Sequence, residues 1–162
     1  MTTFAPDIDT LYELEDYFED FLKKAFQQKG FPDVYAINLD YDVKMPMPRL
    51  CITSIATDSE QEDSIIIDDA EYYATASIDV DVISITPIDN KPLFRKYKGA
   101  IRALMQRIPY IGRERPEWLP YHNIVRCVSS KPTHDSDPEL GRDVMYFPYT
   151  ITMQIRPEAW PQ

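Results

Sequence analysis

Two pairs of aspartates have the spacing of residues that could act together as acid and base or bind a hard cation. Asp40 and Asp42 lie two residues apart in one alternating segment, and Asp79 and Asp81 do so in another. Residues two apart in a strand point to the same face of a sheet, so each pair would present two carboxylates side by side. The same alternation also describes the solvent side of a strand. We therefore interpret both pairs as surface residues.

The chain has two histidines, His122 and His134, that could serve as a base or a ligand. Neither is accompanied by a G-x-S-x-G or cysteine-protease pattern, so no nucleophile is indicated. His134 could bind a metal with Asp135 and Asp137, but a residue of a polar loop is the simpler interpretation. His122 is interpreted as a residue at the start of a strand.

Other motifs that support catalysis or ligand binding are missing. Four scattered glycines cannot build a Walker loop or a dinucleotide fingerprint. The acidic run at 57–63 lacks the register and closing glutamate of a calcium loop. Cys51 and Cys127 lie in apolar, strand-like segments and are interpreted as buried free thiols. The sequence predicts no catalytic, cofactor or metal site, and hence a protein that is not an enzyme.

The formal net charge of −10 is divided unevenly along the chain. Residues 1–90 contain 5 basic and 20 acidic residues, whereas residues 91–162 contain 12 basic and 7 acidic residues. The overall charge disfavours nucleic acid and anionic membranes as partners. Two halves of opposite charge can instead attract copies of the same chain head to tail.

The hydrophobic periodicity predicts one α+β domain over residues 1–162, with the order α-β-β-β-α-β-β. We expect a mainly antiparallel sheet of about five strands, with two principal helices packed on one face. The first helix is predicted over 10–29, where Thr10 and Glu13 have capping-box spacing and Gly30 ends the run.

The following strands are marked by two-residue alternation. Residues 35–43 and 50–56 are predicted to form a hairpin around the MPMP turn. A long extended stretch is predicted over 65–86, where Ile83 and Ile85 change parity. Either a bulge or burial of both faces would explain that change.

The second half begins with a helix predicted over 91–108 and stopped by Pro109. A strand is expected at 122–129, followed by a polar loop and a final strand at 145–155. Pro148 cannot donate a ladder hydrogen bond, so that final strand is predicted to lie at an edge or to carry a bulge.

The basic residues of the second helix are the main candidate for a binding surface. A solvated helix face, a contact with an acidic protein surface and a nucleic-acid contact are all compatible with them, but no base-stacking motif supports the last. The acidic surface could be the 58–63 loop of a neighbouring copy. The candidate interface residues are Arg95, Lys96, Lys98, Arg102, Glu60, Glu62 and Asp63.

Two passages of the sequence resemble a known family. They are DVDVISITPIDNKPLFRKYKGAIRALMQRI, a strand that leads through a turn into a helix, and ELGRDVMYFPYTITMQI, a polar loop before a long strand. With the order of elements over residues 7–156, they resemble the tail-terminator and head-to-tail joining (neck) proteins of tailed bacteriophages. The resemblance implies a small α+β virion protein without a cofactor. It also implies a ring, usually hexameric, that ends the tail tube and joins it to the head connector.

Two other classes of function stay open. A small-molecule-binding or enzymatic domain would need converging polar groups, for which Asp79, Asp81 and His122 are the first residues to inspect. A monomeric acidic adaptor or inhibitor would bind a basic partner without assembling. The sequence shows neither a signal peptide nor an apolar segment of about 18 residues, so we expect synthesis in the host cytoplasm and no membrane contact.

Overall fold

The structure is a computed structural model that describes residues 11–36, 46–57, 64–67, 70–73 and 75–156. Its elements confirm the α+β class. The helices are α1 (Leu11–Gln28) and α2 (Lys91–Glu114). The strands are β1 (Val34–Tyr35), β2 (Arg49–Thr57), β3 (Ser64–Ile67), β4 (Ala70–Tyr73), β5 (Thr75–Pro87), β6 (His122–Ser129), β7 (Thr133–Asp137) and β8 (Arg142–Ile155).

The main sheet contains six of these strands instead of the expected five. The order is β1-β2-β5-β8-β6, and β7 pairs with β8 beyond the end of β6. All pairs are antiparallel except β1 with β2, where Val34 and Tyr35 lie beside Leu50 and Cys51 in parallel. A hairpin needs antiparallel strands, so the predicted hairpin is wrong at Tyr35. The chain enters β1 from α1 at the end of the sheet where β2 begins, and the two strands run in the same direction. Residues 37–45 lie outside the described part.

The extended stretch predicted over 65–86 is not one strand. Strands β3 and β4 pair with each other as a separate two-stranded sheet, and β5 alone joins the main sheet. The sequence places two aspartates, which are poor strand formers, between β3 and β4. The register of β5 with β2 and β8 is continuous, so the parity change at Ile83 and Ile85 is not a bulge. Both faces of β5 are buried there, since Ile83 and Ile85 form a second small core cluster with Cys51 and Val144.

Both helices pack on the same face of the main sheet, as predicted. Helix α1 lies mainly on β2, and α2 lies on β6 and β5. The first helix ends close to the predicted position, because Gly30 adopts a positive φ of 96° and Phe31 N–H donates to the Phe26 carbonyl at 3.3 Å. The rings of Phe26 and Phe31 then meet edge to face at 5.5 Å. The predicted capping box of Thr10 and Glu13 lies outside the described side chains.

Helix α2 continues past Pro109, so the predicted end at 108 is wrong. Proline removes one backbone donor, but burial of Ile108 and Ile111 on both sides of it favours further turns. Gly112 lets the next segment pack closely, since an added Cβ would lie 3.2 Å from Leu119. The extra turns are therefore held by tertiary packing, which outweighs the local effect of proline.

The polar segment before the last strand contains β7, which sequence patterning predicted as loop. Strand β8 is correspondingly an interior strand, so the predicted edge position of Pro148 is wrong. The Pro148 carbonyl accepts a hydrogen bond from Ser130 N–H at 2.9 Å, so its nitrogen also faces the β6–β7 side. Pairing changes from β6 to β7 at this point, and the missing donor is accommodated in that gap.

Candidate functional site

The predicted basic face of α2 contains one continuous stripe of cations. Lys91, Arg95, Lys98 and Arg102 follow each other at intervals of four, three and four residues, which aligns them on one side of a helix. Arg95 and Arg102 are exposed and Lys98 is half-buried. The buried residues of α2 lie elsewhere around the helix, so the stripe is displaced from the core. We call these four residues the basic stripe.

A groove of two sections, which share no lining residue, lies between the basic stripe and the sheet. One section, of about 290 Å³, places Arg102 beside Ser129 and Lys131. The other section, of about 350 Å³, is lined by Lys91 and Arg95 and by the polar cluster of His134, Ser136 and Asp143. The section beside Arg102 has two cations and a hydroxyl group, which suits a carboxylate.

Lys96, the fourth predicted interface residue of α2, does not belong to the stripe. At about 100° per residue it lies roughly a third of a turn from the stripe, on the opposite flank of α2. There it shares a cavity with Lys29, Leu93 and Tyr97. The structure therefore brings Arg95, Lys98 and Arg102 together and separates Lys96 from them.

The cations of the stripe form no close ion pair with a described carboxylate. Among the described residues, Arg95, Lys98 and Arg102 form no ion pair within 4.0 Å. Exposed ion pairs add little to folding stability, so the lack of such pairs at these three cations does not destabilise the fold. They do leave a local positive potential on a chain whose net charge is −10.

An acidic surface lies on α1, and its residues are not among the predicted interface residues. Glu15, Asp16, Glu19 and Asp20 follow one side of the helix. Asp16 and Asp20 are exposed. We call these four residues the acidic edge. The signal that could have revealed it is the repeated i, i+4 spacing of like charges, which a helix tolerates at a cost.

Two carboxylates of the acidic edge are tied to the outer side of β2. Glu15 Oε1 accepts a hydrogen bond from Ala56 N–H at 2.8 Å. Glu19 contacts Ser54, and burial raises the pKa of Glu19 to about 7, with Asp16 and Glu15 raising it further and the Ser54 hydrogen bonds lowering it. At Ala56 the carboxylate replaces the acceptor that a neighbouring strand would supply. The predicted acidic partners Glu60, Glu62 and Asp63 lie outside the described residues.

The two charged surfaces lie at opposite sides of the same layer. The acidic edge accompanies β2, and the basic stripe faces β6 and β7. Strands β5 and β8 separate β2 from β6 in the sheet. At a spacing of about 4.8 Å per strand, the two surfaces are separated by roughly 15 Å of sheet.

The aspartates proposed for acid–base chemistry do not form a site with histidine. Asp79 and Asp81 are exposed on the face of β5 opposite the helices, as surface residues. Asp79 accepts a hydrogen bond from the Thr150 hydroxyl at 3.0 Å, and burial, followed by the charge of Asp79, raises the pKa of Asp81. Asp40 and Asp42 lie outside the described residues.

His122 is a core residue at the start of β6, as predicted for its position in a strand. Its ring lies 5.9 Å from that of Tyr17 on α1, on the helix side of the sheet. Burial, followed by the charge of Arg156, lowers the pKa of His122 to about 4. The ring is neutral at pH 7 and is on the other face from Asp79, so the two cannot share a substrate.

His134 lies on β7, not in a loop, and joins a small polar cluster. Its Nε2 lies 2.9 Å from Asp143 Oδ1, and the Ser136 hydroxyl donates to the same oxygen at 2.5 Å. A hydrolytic triad needs the serine and the carboxylate on different nitrogens of the histidine, so this arrangement does not activate Ser136. The cluster instead links β7 to β8. Asp135 and Asp137 lie on the other side of the strand from His134, which separates the predicted metal ligands.

Both cysteines are free thiols. Cys51 is buried, and Cys127 is half-buried with a pKa that burial raises to about 11. Across the described ranges, no group of three or more histidine, cysteine, aspartate or glutamate residues could hold a metal ion. The described helices include none that is long and apolar enough to cross a membrane.

Comparisons with known proteins add no family assignment. A scan against protein-family models finds no family that matches the chain, and a search of curated proteins finds no significant match.

Proposed function

We propose that this chain is a structural protein that assembles head to tail into a ring, as expected of a phage tail terminator or neck protein. The observation that carries the proposal is the position of opposite charges on opposite sides of one rigid layer. The basic stripe of one subunit would contact the acidic edge of the next. A closed ring requires this kind of interface, in which two different patches meet.

The state of the charged groups supports this arrangement. The cations of the basic stripe have no ion pair among the described residues, and Asp16 is an exposed carboxylate of the acidic edge. Complementary patches of this kind steer encounter and fix the orientation of the partners. A surface of one sign alone would favour a foreign partner and a monomeric adaptor. Both signs on one chain favour a second copy.

The place of the ring in a virion rests on the family resemblance. In this role the ring ends the growing tail tube and presents a surface to the head connector. Such a protein has a structural task and needs no catalytic group or cofactor. The separation of His122 from Asp79 and Asp81 weakens the competing enzymatic interpretation of those residues.

Assembly can be tested directly by negative-stain microscopy and sedimentation velocity on the purified chain. We expect rings at low salt that dissociate as salt is raised, because exposed charges are screened beyond about 10 Å at 0.1 M. Reversal of Arg95, Lys98 and Arg102 to Glu removes three contacts of roughly 1 kcal/mol each, so association weakens by about a hundredfold.

The matched control is the reversal of Lys29, Lys96 and Arg107 to Glu, which changes the net charge equally on the other flank of α2. The association constant of this control variant should stay within about threefold of that of the original protein, since only long-range charge is altered. Monomers under all conditions, with and without purified tail-tube protein, would contradict the proposal. So would equal loss of assembly in both triple variants.

A further inference from the structure

A second groove lies on the opposite flank of α2 from the basic stripe, between α2 and the end of α1. It has two adjoining sections of about 220 and 280 Å³ that share Lys29, Phe31 and Ala100. The first section continues to Lys96, and the second continues to Arg107. We call this groove the α1–α2 cleft.

The floor of the cleft is apolar and rigid. Phe31 and Leu104 are almost fully buried, and the ring of Phe31 meets that of Tyr97 edge to face at 4.9 Å. Ala100 and Ala103 leave space above this floor because their side chains are small. Apolar side chains of a ligand could therefore lose water against an existing surface without reorganising it.

The rim of the cleft is basic. Lys29, Lys96 and Arg107 are exposed and surround the apolar floor. Within the described part of the chain, none of the three forms an ion pair. Asp33 lies near Tyr97 at one end of the cleft. Burial raises the pKa of Tyr97, and the negative charge of Asp33 raises it further. The rim keeps an excess of positive charge.

The spacing of the cations decides between a polypeptide and a simple amphiphile. Lys96 and Arg107 are eleven residues apart on α2, or about 16 Å along its axis. A fatty acid carries one carboxylate and could neutralise one end only. An extended segment of about five residues covers the same distance and can place carboxylates at both ends, with apolar side chains between them.

We propose that the α1–α2 cleft binds an extended polypeptide segment that carries apolar side chains between carboxylates at its two ends. The apolar groups lie on Phe31 and Leu104, and the carboxylates pair with the cations of the rim. This site is distinct from the ring contact, because it lies on the other flank of α2. It also explains the one predicted interface cation, Lys96, that the basic stripe does not include.

The test uses a fluorescein-labelled synthetic peptide with leucines in the middle and an aspartate at each end, with binding followed by fluorescence anisotropy. The variant with Lys29, Lys96 and Arg107 changed to Glu should bind about tenfold more weakly or worse. The variant with Arg95, Lys98 and Arg102 changed to Glu carries the same net charge and should bind within about twofold of the original protein. Circular dichroism establishes that both variants are folded. If the first variant does not fold, Ala103→Trp fills the cleft from an exposed position and should weaken binding similarly.

Several outcomes would overturn the proposal. Equal weakening by both triple variants would mean attraction to the protein as a whole. A control peptide with serine in place of leucine that binds as tightly would show that the apolar floor contributes nothing. Displacement by dodecanoate at a lower concentration than by unlabelled peptide would assign the cleft to a fatty acid, and absence of peptide binding would remove the site. Failure of ring assembly would leave these results unaffected, because the monomer suffices for each measurement.

Discussion

The two charged sides of the molecule differ in how strongly they depend on the fold. On the acidic edge, Glu15 holds a backbone N–H of β2, Glu19 contacts Ser54, and Asp20 pairs with Lys24 at 2.9 Å. On the basic stripe, Arg95 and Arg102 are exposed and form no ion pair among the described residues. The acidic edge therefore contributes to the fold, whereas the basic stripe is available for contact with a partner.

Similar charge changes should therefore have different effects on the two sides. A substitution at Glu15 removes a hydrogen bond to the part of β2 that β1 does not cover, so folding and association change together. A substitution at Arg102 leaves the folded monomer almost unchanged, so only association changes. Equal responses of the two sides to such substitutions would contradict this distinction.

The largest effect is expected from exchanging charges between the two sides. One variant carries Glu at Arg95, Lys98 and Arg102, and a second carries Lys at Asp16 and Asp20. In each variant alone the exposed residues of the two sides carry the same sign, since Glu15 and Glu19 are tied to β2, and association should be about a hundredfold weaker. An equimolar mixture should assemble, because the exposed residues at every contact then carry opposite charges. Sedimentation velocity and mass photometry measure the size and composition of the particles.

The exchange also locates the acidic partner. A closed ring of alternating variants must contain an even number of subunits, so a hexamer can form from the mixture. If the second variant alone assembles like the original protein, Asp16 and Asp20 are not in the contact. The acidic partner would then lie elsewhere, for example at the predicted interface residues Glu60, Glu62 and Asp63.

A smaller effect is expected on the free energy of unfolding. Glu15→Ala leaves the Ala56 N–H without its carboxylate acceptor and should cost about 1–2 kcal/mol. Arg102→Ala should change stability by less than about 0.5 kcal/mol, since the side chain is exposed. Urea unfolding followed by circular dichroism measures both values. Glu15→Gln keeps an acceptor oxygen and should lose clearly less than Glu15→Ala, and equal losses for Glu15→Ala and Arg102→Ala would contradict the distinction between the two sides.

The sequence predicted the elements that periodicity governs and failed where distant contacts decide. The α+β class, α1, β6 and the placement of both helices on one face follow from repeating apolar positions. Pro109 and Pro148 were misinterpreted because proline excludes only one local hydrogen bond. Whether the surrounding fold tolerates that loss depends on the burial of Ile111 and on the change of pairing partner beside β8.

The candidate site was predictable only in part. The alignment of Arg95, Lys98 and Arg102 follows from helical spacing, and the same spacing already separates Lys96 from them. The groove beside them could not be predicted, because β7 carries polar residues that resemble a loop. The role of Glu15 depends on the position of β2, which the sequence of α1 does not predict.

The smallest effect is a pH dependence that belongs to the acidic edge alone. Burial, the largest cause, raises the pKa of Glu19 from 4.5 to about 7. The folded chain then binds this proton more tightly than the unfolded chain, so ionisation lowers stability as pH rises from 4.5 towards 7. Glu19→Gln removes this loss, and after allowance for solvent screening of a half-exposed group we expect it to be about 1 kcal/mol more stable than the original at pH 8. Urea unfolding at pH 5 and pH 8 measures the difference, which should shrink at the lower pH.

The same carboxyl should make assembly depend on pH in the opposite direction. A cation of the neighbouring subunit favours the ionised form of Glu19, so ring formation releases a proton and strengthens by roughly threefold between pH 6 and pH 8. Glu19→Gln should remove most of this dependence, while Arg102→Ala weakens assembly at both pH values. If Glu19→Gln keeps the full dependence, Glu19 does not face the contact, and the basic stripe of the next subunit lies farther along α1 towards Asp20.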